Sequence, residues 1–434
     1  MAGTALPTAE FAQVDHAAAG RQRLVRLAGR YSLSAIGPIA VSGAHFAASL
    51  IFLHKLPPAD FGLFSFLLVV VPFCLSISSG LLGAPLVSAI GKAKAVAEDQ
   101  LAAFRKVNLI FCIAAGVATA LLMATSHAGL TAALVFGFYG AVMSLRWFAR
   151  FNAYIANHPR RAAASDLIYS LSVLAGLAAL IATGRLTLVN ASMVLLFCSI
   201  LSVPAFGWSF LRDQFDPKAL GSFAAYRPIW RDVTRWSLMG VVLSEMTANA
   251  HAYFVTFLSG PKAFALLALG SLLMRPVSLV LQALPDRERP AMARSIAAGD
   301  IERAGKSVGE FRFAAGAVWL ATIALACVIL TWFPQLLLKK GYDADAALIV
   351  IAIWALIMAV RALRTPQAVF LQAAGAFHPL ARAGMTSSFV SLAGTLALLL
   401  LAGPVASLGG ILAGELAMTF SVAALMRSWK RAHA

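Results

Sequence analysis

The sequence predicts an all-α polytopic membrane protein of about twelve transmembrane helices in two six-helix lobes. Three observations carry this: an apolar composition, spans recurring along the whole chain, and basic residues confined to short connections. Of the 434 residues, 60% are hydrophobic and 12% charged, whereas soluble domains are roughly 45–50% apolar and 25% charged. No soluble fold hides that much apolar surface. Stretches long enough to cross a bilayer run from Tyr31 to Met426, at about 20 residues per helix.

The elements follow in order. Residues 1–30 are polar and Ala-rich and end in Arg21, Arg23, Arg26 and Arg30, a cytoplasmic N-terminal segment. The apolar run behind them is too long for a signal-peptide core and is expected to stay as the first helix. Spans are predicted at 31–53, 61–89, 107–126, 129–150, 165–184 and 187–211, forming an N-terminal lobe over 31–211. A hydrophilic stretch with Pro217, Gly221 and Pro228 reads as a cytoplasmic linker over 212–234. The C-terminal lobe, 235–427, holds spans at 235–258, 262–284, 312–333, 345–372, 383–402 and 405–427, and 428–434 is a cytoplasmic tail. Pro285 to Arg312 reads as an interfacial helix, with Gly91 to Lys106 as its counterpart.

Of the 35 lysines and arginines, 29 fall on the side of the N-terminus and 5 on the other, and Arg275 lies within a span. The positive-inside rule therefore places both termini in the cytoplasm. Lys55, Arg185, Lys262, Lys339 and Lys340 mark the opposite side, where loops of a few residues leave no room for a catalytic domain. The net charge of +17 is topogenic in its distribution and does not form a nucleic-acid surface. Cys74, Cys112, Cys198 and Cys327 lie inside apolar segments without ligand spacing, so neither metal nor cofactor is expected.

The two halves repeat. "HPRRAAASDLIYSLSVLAGLAAL" from His158 resembles "HPLARAGMTSSFVSLAGTLALL" from His378, and both begin the fifth helix of a half. Upstream, Arg146 and Arg150 match Arg361 and Arg364. A parallel duplication of six-helix units accounts for both matches.

"LPPADFGLFSFLLVVV" from Leu56, "SGPKAFALLALGSLLMRPVSLVLQALPDRERP" from Ser259 and the closing "GGILAGELAMTFSVAALMRSWKR" together resemble the bacterial polysaccharide transporter family. Those are O-antigen and exopolysaccharide flippases of the multidrug/oligosaccharidyl-lipid/polysaccharide exporter superfamily. Ala263-Phe264-Ala265 departs from the Gly and aromatic that many relatives carry there. The resemblance implies two lobes around a cavity that opens alternately to each side of the bacterial inner membrane. It further implies export of an undecaprenyl-pyrophosphate-linked oligosaccharide for polysaccharide biosynthesis, with membrane lipids and polysaccharide assembly proteins as further partners. A multidrug or cation antiporter of the same fold would need an anionic cavity. A membrane polymerase or glycosyltransferase would need a large outer loop or paired carboxylates, and an enzyme is not expected.

Intramembrane charges carry the site argument, because each costs at least about 2.5–3.5 kcal/mol at the bilayer centre. Arg146 and Arg150 are four apart and Arg361 and Arg364 three apart, so each pair shares a helix face. Their planar forks suit a pyrophosphate. The alternative is that they are interface anchors. Arg275, 13 residues after Lys262 and followed by Pro276, is expected near mid-membrane as a third pyrophosphate ligand, or else paired with Glu245. Glu245, on a polar stripe with Asn249, and Glu415, among small residues, are expected to bind a coupling proton or to form buried ion pairs. His45 and His251 read as satisfied core histidines.

Overall fold

The computed structural model describes residues 37–83, 85–86, 98–156, 158–336 and 343–432. The N-terminal segment 1–30, Lys92, Lys94, Lys339 and Lys340 lie outside the described residues. The first half comprises α1 (Gly37–Lys55), α2 (Pro58–Ser78) continued by a π turn over Ser79–Gly83, α3 (Glu98–Thr125), α4 (Leu130–Ile155), α5 (Pro159–Ala182) and α6 (Leu188–Ser202). Two short helices follow, α7 (Trp208–Phe215) and α8 (Phe223–Ile229). The second half comprises α9 (Arg235–Ser259), α10 (Pro261–Leu273), α11 (Arg275–Ala297), α12 (Ile301–Trp332), α13 (Ala344–Ala373), α14 (Phe377–Ala402) and α15 (Leu408–Ala432). No strand occurs among the described residues.

Ten helices are long and apolar enough to cross a membrane, and α10 with α11 make an eleventh as a broken span bent by 58°. α9, at 25 residues, is long enough at about 37 Å but carries more polar residues. Each of the twelve expected spans therefore overlaps a helix or, for the eighth, a broken pair, while residues 31–36 of the first and 87–89 of the second lie outside the described residues.

Three expectations need correction. The eighth span is not one continuous helix over 262–284 but stops at Met274 and restarts at Arg275. Pro276 sits in the first turn of α11, where its missing N–H costs no helical hydrogen bond. Pro285 to Arg312 is not a separate interfacial helix. It is the end of α11 and the start of α12, joined at Gly299, whose φ of +75° suits glycine, and capped by Asp300 accepting from the Arg303 N–H. The sixth span, expected over 187–211, ends at Phe206: Gly207 turns the chain with a φ of +102°, and α7 and α8 then contribute Phe210 and Tyr226 to a core that also contains Leu82, Phe104, Phe148 and Phe206.

One core draws on both halves, through Phe64, Phe66, Tyr169, Phe264 and Trp354 among others, and a second-half core surrounds Phe311 and Phe370. α2 bridges the halves, packing on α10 and α9. A Cβ on Gly62 would strike the Pro261 carbonyl, and one on Gly80 would sit 3.3 Å from the Leu238 Cα. Small residues also draw α15 onto α14. Gly410 lies against the Gly394–Thr395 backbone, and the Ser387 hydroxyl donates to the Gly414 carbonyl at 2.8 Å. That approach fixes the next residue, Glu415.

Candidate functional site

α4 and α5 are antiparallel neighbours, so the turn that carries Arg146 and Arg150 faces the start of α5. There Asp166 lies between the two guanidiniums: Arg150 donates at 2.6 Å to one carboxylate oxygen and Arg146 at 3.3 Å to the other. Arg146 also donates to the Ser165 carbonyl at 3.3 Å and packs its guanidinium over the Tyr169 ring at 4.5 Å. The side chains of Arg146 and Asp166 are each 3% exposed. α1 seals the arrangement, since a Cβ on Gly37 would strike the Asp166 carboxylate. Above it the Tyr139 and Tyr169 hydroxyls share a 2.8 Å hydrogen bond, and His45 Nε2 lies 2.8 Å from the Tyr169 hydroxyl.

The second half builds a similar triad from other helices. Arg361 and Arg364 on α13 donate to the two oxygens of Glu415 on α15 at 2.7 and 2.8 Å. This triad is less enclosed, with side chains 21%, 18% and 11% exposed, and the buried Arg364 Nε has no partner. In both triads two arginines meet one carboxylate, leaving a formal charge of +1. Neither pair is a set of free interface anchors.

Arg275 differs from all four. It sits at the break between α10 and α11 and makes no hydrogen bond or ion pair with any described residue. It lines a cavity of about 110 Å³ with Ser65 on α2, Asn249 and His251 on α9, Ser271 on α10 and Trp354 on α13. His251 is 5% exposed, and its Nδ1 is buried without a partner. Trp354 is held by its indole N–H donating to the Leu267 carbonyl at 3.0 Å. The N-terminus of α11 places the positive end of a helix dipole at the same break. Such broken transmembrane helices aim their N-termini at anionic groups.

Glu245 is not paired with Arg275, contrary to one expectation. Its carboxylate accepts from the Ser76 hydroxyl at 2.6 Å and from the Asn249 amide at 2.9 Å. One turn along α9 puts Asn249 within reach, and α2 supplies Ser76 from the other half. No cation pairs with Glu245 among the described residues. Among the described residues the carboxylate is satisfied by neutral donors alone.

Of the residues singled out in the sequence, the fold brings Arg361, Arg364 and Glu415 together, and Arg146 with Arg150, while Arg275 and Glu245 stand apart. Sequence reasoning missed Asp166, Tyr139 and Tyr169. Asp166 carried a signal: no other acidic residue lies between Asp99 and Asp213, so it is the one carboxylate on the three helices from α4 to α6. Among the described residues no group of three His, Cys, Asp or Glu side chains could hold a metal ion.

No family model matches the sequence, and no curated protein matches it. The fold does match. The inward-facing conformation of a multidrug resistance MATE family transporter of the MOP superfamily superposes with a TM-score of 0.68 at 11% identity, over 92% of this chain and 98% of that one. The lipid II flippase MurJ in an inward closed conformation gives 0.66 at 12% identity, over 92% and 87%. MATE in the straight conformation gives 0.57 at 14%, over 93% and 95%. The chain is a multi-pass membrane protein with the exporter fold shared by these transporters.

Proposed function

We propose that the chain is a flippase that carries an undecaprenyl-pyrophosphate-linked oligosaccharide across the bacterial inner membrane by alternating access, with both termini cytoplasmic. Arg275 carries the reading. It is an intramembrane cation without a counter-ion among the described residues, at a helix break that adds positive dipole, in a cavity whose other lining is hydroxyl, amide, imidazole, aromatic and aliphatic, with no carboxylate. A pyrophosphate supplies the missing charge and accepts from the guanidinium in a bidentate geometry. The two triads, each with one positive charge in excess, extend the same electrostatic preference along the halves, with the more open Arg361–Glu415–Arg364 as the secondary contact. The cavity is too small for a glycan, so the cargo requires the halves to separate, as alternating access demands. The fold likeness to a lipid II flippase supports a lipid-linked cargo.

A second reading, a multidrug exporter, is supported equally by the fold likeness to MATE transporters and by Glu245, which could hold a cationic cargo. Purified protein in proteoliposomes separates the two. Flipping of a fluorescent polyprenyl-pyrophosphate oligosaccharide is expected, with Arg275→Lys lowering the rate about tenfold or more through the lost charged hydrogen bond. Wild-type rates in Arg275→Ala at normal protein level would end the pyrophosphate reading. Transport of an organic cation in place of the lipid-linked sugar would establish the second.

A further inference from the structure

The stretch between the halves contains the same pattern twice. On α7, Trp208, Arg212 and Phe215 are spaced four and three residues apart; on α8 and the turn after it, Phe223, Arg227 and Trp230 repeat that spacing. At 3.6 residues per turn each set falls on one helix face, an arginine between two aromatic rings. Both faces are uncovered. The four aromatics are 80%, 54%, 51% and 42% exposed, in that order along the chain. Arg212 and Arg227 are exposed, and their side chains make no hydrogen bond or ion pair among the described residues.

The opposite faces show that these helices are docked. Phe210 packs on Phe206, and Gln214 donates to the Arg105 carbonyl at 3.0 Å and accepts from Asn108. Tyr226 donates to the Leu81 carbonyl at 2.6 Å, holding α8 on the π turn that ends α2. Lys106 adds a second cation 4.6 Å over the Phe223 ring. The exposed aromatics are therefore displayed by a fixed platform, on the side of the chain where the basic residues concentrate.

We propose that this platform is a binding surface for anionic phospholipid. The paired rings would enter the interfacial layer, where Trp and Phe sit at the boundary between headgroup and acyl chain. Each arginine then meets a lipid phosphate with its fork, and Lys106 supports the second. Charge complementarity selects an anionic headgroup over a zwitterionic one. Because Tyr226 ties the platform to α2, which bridges the halves, lipid occupancy also bears on the element that must move in any exchange of access.

The full-length chain in nanodiscs of phosphatidylcholine, with and without phosphatidylglycerol, tests this without any transport assay. Lipids brominated near the headgroup should quench wild-type tryptophan fluorescence more than that of Trp208→Phe or Trp230→Phe. Native mass spectrometry should show retained phosphatidylglycerol, weakened about fivefold by Arg212→Gln or Arg227→Gln and roughly thirtyfold by both. Arg427→Gln, an exposed arginine elsewhere on the same side, should have a smaller effect. Equal quenching in wild type and both tryptophan variants would mean that the rings face water or a protein, and would overturn the proposal. So would phosphatidylglycerol retention unchanged in the double arginine variant. All of these positions are exposed, so loss of fold is not the expected outcome, and a circular dichroism melt on each variant identifies it if it occurs.

Discussion

Asp166→Asn is the substitution whose consequence the structure defines most closely. It keeps the shape of the side chain and removes the single negative charge between Arg146 and Arg150. Breaking a buried pair costs about 3–5 kcal/mol, because the remaining charge stays buried without compensation. The two arginines do not share that cost equally. Arg150 is 13% exposed and rests 5.1 Å from the Trp147 ring, so it can turn toward water, whereas Arg146 is 3% exposed and held over Tyr169. Most of the penalty therefore comes from Arg146, and the lower end of the range, about 3 kcal/mol, is expected. For a chain of this length that corresponds to a fall of roughly 3–6 °C in the unfolding midpoint, scaling the entropy of unfolding with residue number. Thermal unfolding of the purified protein in mild detergent measures it. Replacing the whole triad with apolar side chains of similar volume, Arg146→Met, Asp166→Leu and Arg150→Met together, should recover most of the loss, since a well-packed apolar set removes the desolvation cost. An Asp166→Asn protein as stable as wild type, or an apolar triple variant no more stable than Asp166→Asn, would refute the account of this triad as a coupled buried cluster.

Further expectations follow from the same geometry. Glu415→Gln should destabilise less than Asp166→Asn, by about 1–2 kcal/mol, because Arg361 and Arg364 are partly solvated; a larger loss, read in the same melts, would contradict the more open character of the second triad. Gly410→Leu should lower the yield of folded protein by wedging α14 from α15, measured by fluorescence-detected size exclusion, whereas Gly240→Ala, where a Cβ meets nothing within 4 Å, should not. Reporter fusions at Ser126 and Gly403 should report the periplasm, and a cytoplasmic signal at either would remove the proposed topology. Glu245→Gln should leave stability within about 1 kcal/mol, since its partners are neutral hydrogen-bond donors, yet flatten the pH dependence of transport if the carboxylate takes up the coupling proton; an unchanged pH profile would assign it to joining α2 and α9 alone.

The helices were legible because bilayer thickness sets a length that apolar runs reveal directly, and the basic residues reveal their alternation. What escaped is where local rules compete. Pro276 follows the mid-span Arg275, a pattern that fits a kink within a helix equally well as a first turn; only the 58° bend decides. Asp166 lies at the edge of the predicted span 165–184, but α5 begins at Pro159, which moves Asp166 to the eighth helical residue and well inside. A boundary set by hydropathy thus turned an intramembrane carboxylate into an interfacial one. Tyr139, Tyr169 and His45 come from three helices, and no spacing along the chain relates them.

The repeat read from the sequence does not carry the second triad over from the first. The residue aligned with Asp166, counting from the two His-Pro pairs, is Thr386, which is exposed and hydrogen-bonds its own helix at Arg382. A carboxylate there would face away from Arg361 and Arg364. The second half instead packs α15 on α13, and Gly410 and Gly414, by letting α15 lie close against α14, set the position that delivers Glu415 to the same arginine positions. Two different helices thus supply one charge to equivalent arginine pairs, so the neutralising carboxylate is a requirement of the fold that each half has met separately. No such compensation reaches Arg275 among the described residues, although the same membrane makes a lone cation there costly. A structural role would have been served by any of the compensations found at the other four arginines, and the position where none was supplied is the one that lines the cavity.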